Sequence, residues 1–176
     1  VASLLSLVVF FSGCSDGDNR RNPASVTPSS TVSARVATAA DLLSGPLARS
    51  VPGDFVLENE HLRVIIQAAG RHAQGIGTFG GNIIDVSRKD VSGAMLPDHL
   101  EEFVIGLNIE NTSNFIDVRI ESDGSDDQSA TICATGPDDL LDFINGSSAI
   151  SQLGVALPAS ADDTDLPVDM ETCYSL

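Results

Sequence analysis

From Phe55 onward, apolar residues recur at alternate positions in short runs bounded by Gly, Asn and Asp, the period of half-buried strands. Phe55–Asn59 and His61–Gln67 read as two strands joined at Asn59-Glu60. In the second, Leu62, Val64 and Ile66 share one face, and His61, Arg63, Ile65 and Gln67 share the other. Asn82–Val86, Phe103–Ile109, Phe115–Glu121 and Gln128–Ala134 supply four more strand segments. Within Phe115–Glu121 the pattern turns Phe115, Asp117, Arg119 and Glu121 one way and Ile116, Val118 and Ile120 the other. One segment carries helix signals instead. Gly136–Gly146 has Pro137 at the first helical position, acids in the first turn and Gly146 as its stop. Thr38 to Pro46 fits one or two helical turns, with Thr38 as cap and Gly45-Pro46 as terminator. The expected fold class is mostly β: an antiparallel β-sandwich with one or two short helices.

Ahead of these strands the pattern changes twice. Ser15 to Ala37 is rich in Ser, Thr, Asn, Asp and Pro and lacks periodicity, the composition of a flexible tether. Leu4–Cys14, LLSLVVFFSGC, is an apolar run ending in Ser12-Gly13-Cys14. It is too short for a membrane span, which needs roughly 20 apolar residues. It resembles the hydrophobic region and lipobox of a bacterial lipoprotein signal. That resemblance implies a diacylglyceryl group on the Cys14 thiol, cleavage just before Cys14 and residence in the bacterial cell envelope. Ser15, where Asp would favour inner-membrane retention, points to the outer membrane. No Met, Lys or Arg precedes the run, so the sequence reads as incomplete at its start. Taken without the resemblance, the run also fits a truncated ordinary signal peptide or a buried core segment. The expected organisation is a signal segment at 1–13, a lipid-anchored linker at 14–37, a β-rich domain at 38–150 and an acidic irregular tail at 151–176. That tail reads as a linker or the start of a further domain.

Charge narrows the partners. A net charge of −16 over 176 residues opposes nucleic-acid binding, which relies on Lys and Arg neutralising phosphates. It also opposes adhesion to anionic headgroups, so membrane attachment falls to the acyl chains on Cys14. Lipidation of Cys14 leaves two of the three cysteines, Cys133 and Cys173, an even number for an oxidising compartment. They form a disulfide, or else Cys133 is a buried free thiol and Cys173 an exposed one. The sequence does not choose.

Candidate chemistry is sparse. Gly75-Ile-Gly-Thr-Phe-Gly80 has the letters of a dinucleotide fingerprint, but the β-rich Ile83-Ile84-Asp85-Val86 follows where a helix must start, so it reads as a loop. No cofactor is expected. His61, His72 and His99 have no spacing that places two imidazoles on one metal. Asp98-His99-Leu100-Glu101-Glu102 reads as a solvated turn. Asp123, Asp126 and Asp127 cluster oxygen ligands between two strands and are a calcium candidate, but they lack the closing Glu of an EF-hand and fit a polar hairpin tip as well. Asp162, Asp163, Asp165 and Asp169 read as a solvating acidic stretch.

Gly53–Ile66, GDFVLENEHLRVII, followed by Gly80-Gly-Asn-Ile-Ile-Asp85, resembles the leading β-domain of some large secreted bacterial proteins, a likeness spanning roughly 53–146. Some of those proteins carry a PHP-type metal-dependent hydrolase. Its His-rich metal motifs are missing here, so the resemblance implies fold and not activity. The function expected is a non-catalytic accessory or ligand-binding module of a cell-envelope lipoprotein. The alternatives are the leading part of a larger secreted hydrolase and a carbohydrate-binding module. The last is disfavoured by the lack of Trp and the single Tyr.

Overall fold

The computed structural model describes residues 5–10, 31–71, 80–107, 111–126, 129–140, 154 and 169–176. The protein is mostly β, with no helix among the described residues. Four strands, β2 (Ser33–Val36), β3 (Phe55–Glu58), β4 (Leu62–Ile66) and β5 (Ile83–Arg88), form one antiparallel sheet in sequence order. The other sheet has six strands: β1 (Leu5–Phe10), β6 (Gly106–Leu107), β7 (Asn111–Ser113), β8 (Asp117–Asp123), β9 (Ala130–Leu140) and β10 (Asp169–Ser175). Its long strand β9 pairs with β10 on one edge and with both β7 and β8 on the other. All pairings are antiparallel except that of β1 with the outer edge of β10.

The two sheets share a core. Leu57, Val64, Ile66 and Ile83 from the first meet Phe115, Val118, Ile132, Ala134 and Tyr174 from the second. The first sheet is buried on both faces. Val56, Ile65 and Ile84 look the other way, onto Ala37, Leu43 and Met95 of covering segments. A covering segment must satisfy its own buried amides, and three wholly buried carboxylates do this. Asp85 accepts from the backbone N–H groups of Arg49 and Ser50, Asp54 from those of Val51 and Ala68, and Asp98 from those of Val86 and Leu100.

Four expectations need correction. Gly136–Leu140 continues β9 and is not the start of a helix; residues 141–146 lie outside the described part. Pairing with β10 and β7 on its two edges overrides the local helix signals. Gly136 matters here for space, since a Cβ would stand 1.9 Å from the Asn114 carbonyl oxygen. Asp169–Ser175 is a strand and not irregular tail, because Met170, Thr172 and Tyr174 alternate inward between the outward Asp169, Glu171, Cys173 and Ser175. Ser33–Val36, expected in the tether, is a strand that turns Ala34 into the core. Thr38–Asp41 forms a turn, closed by the Asp41 carboxylate on the Thr38 N–H and hydroxyl, with no helix.

The facing expected for Phe115–Glu121 also changes. Phe115 and Val118 are both buried and Ile116 is 71% exposed. Ser113 pairs with Asp138 and Asp117 with Thr135, so Asn114-Phe115-Ile116 stands opposite only Gly136-Pro137. That extra residue is a bulge, which reverses the facing of everything beyond it. Pro137, which lacks an N–H, sits where the ladder is already broken.

Candidate functional site

Glu58 ends β3 next to the turn at Asn59, whose side-chain oxygen accepts the N–H groups of His61 and Leu62. Antiparallel register then gathers cations around it. Arg35 on β2 donates to Glu58 at 2.6 Å, Arg63 on β4 reaches both its oxygens at 3.0 and 3.1 Å, and Lys89 beyond β5 approaches to 2.7 Å. Arg35 also holds Asp41 at 2.6 Å. Burial pushes the Glu58 carboxyl up, but the bonds from Lys89, Arg35 and Arg63 outweigh it and hold the group at about 2. Asp41 behaves alike: burial is overcome by Thr38 and Arg35, again to about 2. Both are firmly ionised and fully engaged, unsuited to trading protons near neutrality.

A second cluster lies on the outer face of the six-stranded sheet. Cys133 and Cys173 are directly opposite on β9 and β10 and are joined as a disulfide. Ala130 and Leu176 exchange both backbone hydrogen bonds, so alternation along the ladder makes 131/175 and 133/173 the close, non-hydrogen-bonded pairs. The Cα separation of 4.1 Å at the cysteines and the 2.8 Å contact between the Thr131 and Ser175 hydroxyls agree. Beside them Arg119 on β8 pairs with Glu171 on β10, and also with Glu121 at 3.2 Å and Asp117 at 3.7 Å. The Arg119 pKa is raised, chiefly by Glu171.

A third feature is an open groove of about 590 Å³ beside β5, floored by Leu96, Pro97 and Leu100 and flanked by Arg88 and His99. The Ser87 hydroxyl at its wall donates to the Leu96 carbonyl. No family model, curated protein or solved structure matches this chain. The site must therefore be read from its own geometry.

Cys14, His72, Gly75, Gly77, Asp127, Asp162, Asp163 and Asp165 lie outside the described residues. Asp123 caps its own hairpin tip, accepting the Ser125 N–H at 2.9 Å; the Ser125 hydroxyl and then this N–H lower its pKa, and Asp126 is exposed in the following turn. His61 is exposed beside Glu60 and His99 lines the groove, far apart in role as in sequence. Neither imidazole is hydrogen-bonded to a Ser, Thr or Cys side chain among the described residues.

The residues of the FVLEN…GGNIID likeness take structural roles. Glu58 and Arg63 form the ion cluster and Asn59 makes the turn. Gly81, at φ +86°, leaves room for Phe115 and Ala134, which a Cβ would approach to 2.6 and 2.7 Å. Asn82 bonds Glu102, and Asp85 pegs the covering segment. Sequence reasoning missed the Arg35–Glu58–Arg63–Lys89 grouping and the Glu171–Arg119 pair. The advance signal was partial: Glu58, Arg63 and Arg119 fell on expected strands, whereas Arg35 was assigned to the tether and Glu171 to the acidic tail.

Proposed function

We propose that this chain is a bacterial cell-envelope lipoprotein, anchored by a diacylglyceryl group on Cys14 at the outer membrane; cleavage just before Cys14 then removes β1 and leaves β10 as the edge of its sheet. Its β-rich part acts as a non-catalytic module that binds a protein ligand. The observation that supports the reading is the cysteine balance. Cys133 and Cys173 are bonded to each other, and the one cysteine left over stands at the end of an apolar run behind Ser12-Gly13. A disulfide also suits an oxidising compartment. A protein ligand is favoured over a sugar because the single Tyr, Tyr174, is buried with its hydroxyl on the Gly81 carbonyl, and there is no Trp.

The test is metabolic labelling with a fatty acid in a bacterial host, with a complete export signal supplied. Label should enter the protein and the detergent phase, and Cys14→Ser should abolish both. Incorporation that survives Cys14→Ser overturns the reading.

A further inference from the structure

Glu171 and Cys173 are two residues apart on β10 and so share its outer face, and Cys133 stands directly across from Cys173. One oxygen of Glu171 and the two sulfurs lie within 4.8 Å of one another. While the sulfurs are bonded together they offer no thiolate. We propose that reduction of this disulfide creates a binding site for one thiophilic divalent cation of the zinc type, held by the Cys133 and Cys173 thiolates and the Glu171 carboxylate.

The geometry suits it. Zinc–sulfur bonds of about 2.3 Å place two sulfurs about 3.8 Å apart on a tetrahedral ion. Opposed side chains at a non-hydrogen-bonded pair reach that separation once the S–S bond is gone. The backbone need not move, because Met170, Thr172 and Tyr174 hold the inner face of β10 in the core. The charges also balance. Two thiolates and a carboxylate meet a divalent ion and the Arg119 guanidinium, and Arg119 keeps Glu121 and Asp117 as partners when Glu171 turns to the metal. Two sulfur donors select zinc or cadmium over calcium or magnesium. Three protein ligands leave a fourth position for water or a ligand atom.

A small dithiol delivers two electrons and two protons to the Cys133–Cys173 bond and itself closes to a disulfide. The two protein thiols then lose their protons as the cation binds. None of this depends on lipidation of Cys14.

The experiment uses the full chain carrying Cys14→Ser, so that only two thiols remain. The protein is reduced with a phosphine, desalted without oxygen and titrated with Cd²⁺ and Zn²⁺. One cadmium per chain should bind with a near-ultraviolet thiolate-to-metal band and release of about two protons. The unreduced protein should show neither. Glu171→Gln should keep the band but weaken binding by at least the roughly tenfold that loss of even an outer-sphere partner costs, while Glu121→Gln leaves it unchanged. Absence of the band in the reduced protein, or affinity unaltered in Glu171→Gln, overturns the proposal. So does circular dichroism showing that the reduced chain binds metal only after losing its sheet.

Discussion

Glu58 receives cations from three separate segments, so its removal leaves Arg35, Arg63 and Lys89 crowded without their shared anion. Glu58→Gln should cost about 2–3 kcal/mol, below the roughly 3–5 kcal/mol of a fully buried pair broken from one side because Arg35 is 36% exposed, read as a shift of the urea midpoint. The pH dependence has a definite sign. Glu58 and Asp41 fall from ordinary values of 4.5 and 3.8 to about 2 in the folded protein. Their contribution is complete above about pH 4.5 and is lost as pH falls towards 2. The stability difference between wild type and Glu58→Gln should therefore shrink across that window. Equal differences at pH 6 and pH 3 would count against this account. Little of the cluster was legible beforehand. Alternation assigned Arg63 to a face, but nothing in the spacing says that Arg35 meets a carboxylate 23 positions later. Such meetings are set by register, which local sequence does not encode.

Period-two alternation did locate β3 and β4, whose register runs unbroken, and β5 as well, although its pairing with β4 slips by one residue at Ile65–Ile66. It failed at two kinds of place. At Asn114–Ile116 a bulge inverted the facing, and at Gly136–Leu140 local helix chemistry lost to pairing on both edges. β10 escaped notice because its acids masked the inward Met170, Thr172 and Tyr174. The disulfide now joins this strand to β9 across 40 positions. In the loop-entropy description a closure of that length contributes about 4 kcal/mol, acting mainly on the unfolded chain. Reduction should accordingly lower the unfolding free energy from guanidinium titration by that amount and leave the native circular dichroism spectrum unchanged. Tyr174→Phe, which strands the Gly81 carbonyl in the core, should cost a further 1–3 kcal/mol or so.

At the scale of the molecule, the charge of −16 opposes compaction while the buried ion pairs do not sense it through solvent. Raising ionic strength from about 0.01 to 0.15 M shortens the Debye length from roughly 30 to 8 Å. Long-range repulsion among surface acids is then screened, and contacts at 2.6–3.1 Å around Glu58 persist. Thermal scans should show the midpoint rising by roughly 2–5 °C with salt, the response of a small domain gaining up to about 1 kcal/mol. A midpoint that falls with salt would mean that exposed pairs such as Arg119–Glu121 dominate instead. The mostly β class was readable from the whole sequence, since Gly- and Asn-bounded aliphatic runs outnumber every other signal. The segments that cover the outer face of β3–β5 were not, because their anchors are single buried carboxylates without any period.

The hydrogen bond from Tyr174 to Gly81 spans 93 positions and seals the shared core from its far end. During synthesis at roughly 5–20 residues per second, the 40 positions between Cys133 and Cys173 separate β9 from β10 by about 2–8 s. Through that interval β9 lacks its neighbour on one edge, and the core beside Ile132 and Ala134 lacks Tyr174. The shared core is closed only once β10 has been made, so its completion is set by the arrival of one strand rather than by collapse of the earlier ones.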